Sequence, residues 1–193
     1  MVYHASAFDA FDAVQTVNTY QYEEMKEIKV KKKLKTKVFK GKYLYLSNYK
    51  SEIQNHETDV LIAPSWNSKF YDLSCHLRLK DLLNKNNINF VLRPHPMSIK
   101  NREITYQELE SNKIKYDVSP KANLNKFKFL ISDWSGIFIE FAIVSNRTAH
   151  LINTPKKILN NNYQNYSKEP IEIATRNIFG NSFEVNDLNK LVQ

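Results

Sequence analysis

Phe127-Lys-Phe-Leu-Ile-Ser-Asp-Trp-Ser-Gly-Ile-Phe-Ile-Glu-Phe-Ala-Ile143 passes from a strand to a helix through a few small polar residues. Its apolar start, 127–131, has the length and bulk of a buried strand, and 137–143 continues as a helix. Between them lie two hydroxyls, one carboxylate and Gly136, one of three glycines in the chain. The first amides of a helix lack partners within it, and the helix dipole favours negative charge there. Ser132, Ser135 and Gly136 are therefore candidate phosphate-binding positions, with Gly136 letting the backbone approach the anion. Glu140 follows one turn later on the same face as Gly136, where a carboxylate suits ribose hydroxyls rather than phosphate. The segment predicts a nucleotide diphosphate site. A plain strand-to-helix junction capped by Ser132 or Asp133 would carry the same letters, so the neighbouring loops decide between the two.

From residue 58 onward, short apolar runs alternate with amphipathic stretches. The pattern predicts strands at 60–63, 88–92, 114–118, 127–131 and 149–152. It predicts helices at 70–85, 101–112 and 136–144, a short one from about Pro120, and a C-terminal one from Asn186 after an Asn-rich loop. Continuous apolar strands joined by helical crossovers predict an α/β fold, a doubly wound, Rossmann-like parallel sheet buried on both faces. In a 3-2-1-4-5 strand order the crevice opens between the first and fourth strands, where the loops after residues 63 and 131 meet. The first 57 residues offer a strand at 12–17, a helix at 20–33 and a strand at 36–46, too little for a core of their own. They read as the tail of a preceding domain plus a linker, giving domains 1–57 and 58–193.

Two further loops follow predicted strands. Arg93-Pro-His-Pro96 is stiffened by its prolines and presents a guanidinium and an imidazole. Arg93 suits bidentate phosphate contact, and His95 is the candidate catalytic residue, as a donor to a phosphoryl oxygen or a general acid. A simple turn with His95 as a local cap is the alternative. Ala63-Pro-Ser-Trp-Asn67 supplies Ser65, Trp66 and Asn67 as pocket residues, joined by Asp133 from the opening segment. Alone, this loop reads equally as a helix cap with a core tryptophan. Three polar loops at the same end of three strands share one rim, which unrelated decoration would not produce.

Composition narrows the partners. The 193 residues carry a formal charge of +8, so anionic partners are expected: phosphate-bearing substrates, a membrane surface or nucleic acid. A single cysteine, Cys75, rules out an internal disulfide and a cysteine-based metal site, and fits a reducing compartment. No metal-ligand spacing, Walker loop or Gly-x-Gly-x-x-Gly is present, so neither metal nor cofactor is expected. No apolar run approaches a membrane span and no signal segment follows Met1, which predicts a cytoplasmic protein. Nine lysines and one acid between Lys26 and Lys42 form a solvated face or, alternatively, a peripheral contact with anionic membrane; the aromatics here lack a single-strand-binding pattern, so nucleic acid is not expected as a partner. His76 in a helix and His150 in a strand are expected to be structural.

Taken in order, Leu61-Ile-Ala-Pro-Ser-Trp66, Leu92-Arg-Pro-His-Pro96 and Ser132-Asp-Trp-Ser-Gly136 with Glu140 resemble the CDP-glycerol glycerophosphotransferases, the teichoic-acid primases and polymerases. The resemblance covers about 58–190, including a closing segment from Arg176 to Leu188. Where that family has Ala-Pro-Thr-Trp-Arg, this chain has Ser65 and Asn67; where it has Ser-Asp-Tyr-Ser-Ser, this chain has Trp134 and Gly136. The resemblance implies the C-terminal, nucleotide-binding half of a GT-B glycosyltransferase architecture. It implies a CDP-glycerol donor, phosphates held by Arg93, His95, Ser132 and Ser135, ribose held by Glu140, and a polyol-phosphate or lipid-linked acceptor. The family's other catalytic histidine, in a Gly-Thr-Trp-His-Gly-like loop, has no counterpart here. The expectation is a fragment or split member that binds a cytidine nucleotide without turnover. Two alternatives stand beside it: a nucleotide-sugar glycosyltransferase or epimerase-like protein of the same fold, and a non-catalytic basic module for anionic polymer or membrane.

Overall fold

The protein is described from a computed structural model over residues 7–47, 58–157 and 163–192. Residues 48–57, at the end of the stretch read as a domain remnant plus linker, and the Asn-rich residues 160–162 lie outside the described residues. The chain divides into two compact units, one of 1–50 with 158–174 and the other of 51–157 with 175–193.

The first unit is built on β1 (Ala13–Thr16), α1 (Thr19–Lys32), β2 (Lys37–Lys40) and a helical turn, α2 (Leu44–Ser47). β1 and β2 pair in parallel as a two-stranded sheet, with α1 as the crossover. Asn18 starts α1 by accepting the Gln21 amide at 2.8 Å, and Lys33 ends it in the left-handed region at φ 53°. Lys29, Lys31 and Lys32 in the last turn suit the negative end of the helix dipole. The strand expected over 36–46 stops at Lys40.

The second unit holds β3 (Thr58–Ile62), α3 (Cys75–Lys85), β4 (Phe90–Leu92), α4 (Pro96–Lys100), α5 (Tyr106–Ser111), β5 (Phe127–Ser132), α6 (Ile137–Ser145) and β6 (Ala149–Asn153). After α7 (Ile171–Ala174), which belongs to the first unit, it closes with α8 (Arg176–Phe179), β7 (Gly180–Glu184) and a 3-10 segment, Val185–Val192. Its strands form one all-parallel sheet in the order β4-β3-β5-β6-β7. This is a Rossmann-like α/β fold. Alternate residues of each strand serve opposite faces. Val60, Ile62, Ile131 and Ile152 join Leu79 and Leu83 of α3 in one apolar core. Leu61, Leu130 and Leu151 join Phe138 and Phe141 of α6 in the other. Burial on both faces is why these strands carry continuous apolar runs.

Several elements depart from the sequence pattern. The helix expected from Phe70 begins at Cys75, because Lys69 and Ser74 adopt left-handed φ values of 63° and 52°. The single helix expected over 101–112 is two, broken at Arg102 (φ 56°) and restarted by a Thr105–Glu108 capping box. The expected third strand is reduced to one parallel bridge, Leu92 to Tyr116, on the outer edge of β4. Counting that bridge, the order is the expected 3-2-1-4-5 extended by β7, an edge strand whose polar residues gave no strand signal. Gly180 opens β7 where a Cβ would collide with the Leu151 side chain. The C-terminal helix is 3-10 in character, with a kink at Asp187. Among the described residues no helix is long and apolar enough to cross a membrane.

Candidate functional site

Strand order reverses between β3 and β5, so the loops that leave their carboxyl ends are neighbours. Asp133 joins them. Its carboxylate accepts the Ser65 amide at 2.7 Å and the Ser65 hydroxyl at 3.2 Å, and the residue is fully buried. Burial raises its pKa, and hydrogen bonds from Ser68, Ser65 and the Trp134 amide pull it back. Beneath it, the fully buried Ser132 hydroxyl donates to the Ala63 carbonyl at 2.7 Å. Ser132 thus clasps β5 to the end of β3 and has no surface to offer a phosphate. Asp133 likewise shapes the rim from within and does not line an open pocket.

The third loop meets these two through rings. His95 lies 6.3 Å from Trp66, centroid to centroid. It caps α4 by accepting the Met97 amide on Nδ1 at 3.1 Å, which leaves Nε2 to carry the proton of the neutral ring. Burial, and then the Lys157 ammonium, hold its pKa below the usual histidine value. Glu103 steadies the rim. Both its oxygens accept the amide of Asn67, at 2.9 and 3.0 Å, and one also accepts the Ser98 hydroxyl at 2.9 Å. The backbone of Asn67 is left-handed there, at φ 54°.

Arg93 points its chemistry elsewhere. It donates to Asp117 at 2.6 Å and to the Ser119 carbonyl at 2.7 Å, and so ties the loop after β4 to the segment that follows the Tyr116 bridge. The expected phosphate contact would cost it those partners. Ser135 is half-buried and Gly136 exposed at the start of α6, where no side chain caps the helix. Gly136 has helical angles (φ −60°), and a Cβ there would meet nothing within 4 Å. Its value is therefore open space above the helix start, with no conformation that demands glycine. Glu140 is half-buried in the first turn of α6.

Residues that the sequence did not single out complete the rim. Arg176, buried in α8, donates to the Asp133 carbonyl at 2.6 Å, to the Ile152 carbonyl at 3.1 Å and to Asn153 Oδ1 at 2.9 Å. Its guanidinium stacks 4.0 Å over Trp134, whose Nε1 donates to the Thr154 carbonyl at 2.7 Å. Burial lowers its pKa to about 10, so it stays charged at neutral pH. After β6 come Lys156 and Lys157, their ammonium groups 5.8 Å over Trp134 and 3.8 Å over Trp66 respectively. The same strand-end reasoning that picked out the other loops would have found this pair.

The rim thus combines an uncapped helix start, one imidazole, two tryptophan faces and several cations, a set suited to holding an anion with an attached planar or polyol group. Comparison with protein-family models, with characterised proteins and with solved structures finds no match for this chain.

Proposed function

We propose that the second unit binds the nucleotide diphosphate donor of a glycerophosphotransferase-like reaction, with CDP-glycerol as the donor and a polymer or lipid-linked hydroxyl as the acceptor. The observation that carries this reading is the convergence of the loops after β3, β4 and β5 at the point of strand reversal, beside the uncapped start of α6. In Rossmann-like sheets that crevice is where phosphates meet helix amides. In the proposed roles, the amides of Ser135 and Gly136 at the entry to α6 take the diphosphate and Glu140 the ribose. His95 donates from Nε2 to a phosphoryl oxygen. The acceptor oxygen forms a new bond to the glycerol-bearing phosphorus as the bond to the CMP oxygen breaks, the acceptor's proton passing to solvent and CMP leaving, a transfer that depends on positioning and charge neutralisation.

Thermal melting with CDP-glycerol, CDP, UDP and CMP tests the reading. CDP-glycerol and CDP are expected to raise Tm more than UDP or CMP, and Glu140→Ala or His95→Ala to abolish the shift. A larger shift with UDP than with CDP would move the proposal to a nucleotide-sugar enzyme of the same fold. No shift with any nucleotide would remove it.

The first unit supports a second reading, contact with an anionic polymer or membrane. Tyr22 lies under both Lys26 (5.5 Å) and Lys40 (5.1 Å), and Tyr166 under Lys31 (5.0 Å), so cations and amphipathic rings occur together. Sedimentation with anionic liposomes that survives replacement of Lys26, Lys29, Lys35 and Lys40 by Gln would eliminate it.

A further inference from the structure

The chain's two tryptophans sit in two different rim loops, one after β3 and one after β5. Each carries a lysine over its ring, and the two lysines are consecutive, Lys156 over Trp134 and Lys157 over Trp66. One short loop after β6 therefore places two ammonium groups over the crevice where strand order reverses. The same loop contains Thr154, only 3% exposed, whose Oγ1 has no hydrogen-bond partner among the described residues. Buried hydroxyls are normally satisfied, and a ligand or water is one way in which such an orphan is completed. Two arginines near the rim have fixed partners: Arg93 has Asp117 and Ser119, and Arg176 has three carbonyl and amide oxygens.

From this juxtaposition we infer that the Thr154–Lys157 loop is the charge-neutralising wall of a diphosphate site, with Lys156 and Lys157 as its ligands. The inference deepens the donor-binding reading above and rests on it for the identity of the attached nucleoside, not for the anion. The tryptophan faces hold the ammonium groups in place through cation–π attraction, which limits the side-chain entropy lost when an anion binds. An ammonium is a compact point charge that can move from ring to phosphate without a fixed fork geometry. Burial, and then the nearby Lys157 ammonium, lower the His95 pKa, in keeping with a cation close to the third loop.

Because both tryptophans lie beneath the proposed ligands, intrinsic fluorescence reports occupancy directly. The full chain would be titrated with inorganic pyrophosphate, with sulfate at matched ionic strength as the control. A saturable change in tryptophan emission is expected. Lys157→Gln and Lys156→Gln should each weaken it roughly tenfold or more, the cost of a lost charge-assisted hydrogen bond. Lys157→Arg should retain most of the affinity, and far-UV circular dichroism should show every variant folded. Pyrophosphate that leaves the emission unchanged, or that binds the double Gln variant as tightly as the parent, overturns the inference. Binding that depends on the lysines but is no tighter for CDP than for pyrophosphate upholds the inference and removes the nucleotide reading alone.

Discussion

The two units of this chain bury different kinds of side chain. The second covers both faces of its sheet with apolar residues and places several of its buried polar groups, among them Ser65, Ser132, Asp133, Thr154 and Arg176, near the carboxyl ends of the strands. In the first unit the buried described residues are Met25, Ile28 and Pro170 against Thr16, Glu24 and Thr36, while Phe11 and Phe39 are 56% and 53% exposed. One unit is held by hydrophobic burial with a polar rim set upon it. The other places a carboxyl, Glu24, among its few buried residues. Helix α1 displays contrasting carboxyls within one turn. Burial, reinforced by Glu172, pushes the Glu24 carboxyl up to about 7, whereas Lys31 and then Ser167 hold Glu27 down to about 2.

The comparison can be broken most forcefully in the apolar unit. Phe141→Ala empties a fully buried site under α6 and should cost about 3–5 kcal/mol. Urea unfolding followed by tryptophan emission measures it, since both tryptophans belong to this unit. A loss under about 1 kcal/mol would mean that α6 is not anchored as described.

Asp133→Ala should come next, at about 2–3 kcal/mol, because it strands the buried Ser65 amide and hydroxyl. It should also abolish any nucleotide-induced melting shift, whereas Phe141→Ala, once corrected for stability, should not. If the Ala variant melts like the parent, the clasp between the two loops is not what orders the rim.

Glu24 sharpens the other side of the comparison. A carboxyl whose folded pKa is raised binds its proton more tightly in the native state, so stability is fully present below the ordinary carboxylate pKa. It is lost as pH climbs toward about 7. Glu24→Gln should therefore leave stability unchanged near pH 4 and raise it at pH 8 by on the order of 2 kcal/mol. Paired circular dichroism melts at the two pH values decide this; a variant less stable at pH 8 would contradict the assigned cause.

The smallest effect belongs to Gly136→Ala. Helical backbone and open space around the missing Cβ predict a stability change within about 1 kcal/mol, and in the stabilising direction. Pyrophosphate affinity should nevertheless fall, as the new methyl crowds the α6 amides. Unaltered affinity would detach the helix start from the anion site.

Much of this architecture was legible in the chain. Apolar runs at 60–63, 127–131 and 149–152 could only be strands buried on both sides, and the amphipathic stretches between them could only be crossovers. The rim was legible because polar loops recur after those strands. Other features were not. β7 has no apolar pattern, because an edge strand with exposed side chains needs none. The break at Arg102 and the late start of α3 depend on left-handed residues that are not glycine, which composition does not flag. The cavities were also hidden. One of about 260 Å³ is lined by Thr58, Asn89, Lys113 and Lys115 at the opposite ends of β3 and β4, away from every loop that carries the rim chemistry.

What the sequence determined alone was the alternation of strand and helix, and with it the end of the sheet at which chemistry gathers. Those follow from local periodicity and from the partnerless amides at a helix start. Only tertiary structure decided which partners each polar group meets. Ser132 and Asp133 are consumed inside the clasp and Arg93 at the sheet edge, while Lys156 and Lys157, distant in sequence, come to lie over Trp134 and Trp66. A side chain's type sets what it can bind, but the partners that packing puts within reach set what it has left to bind with.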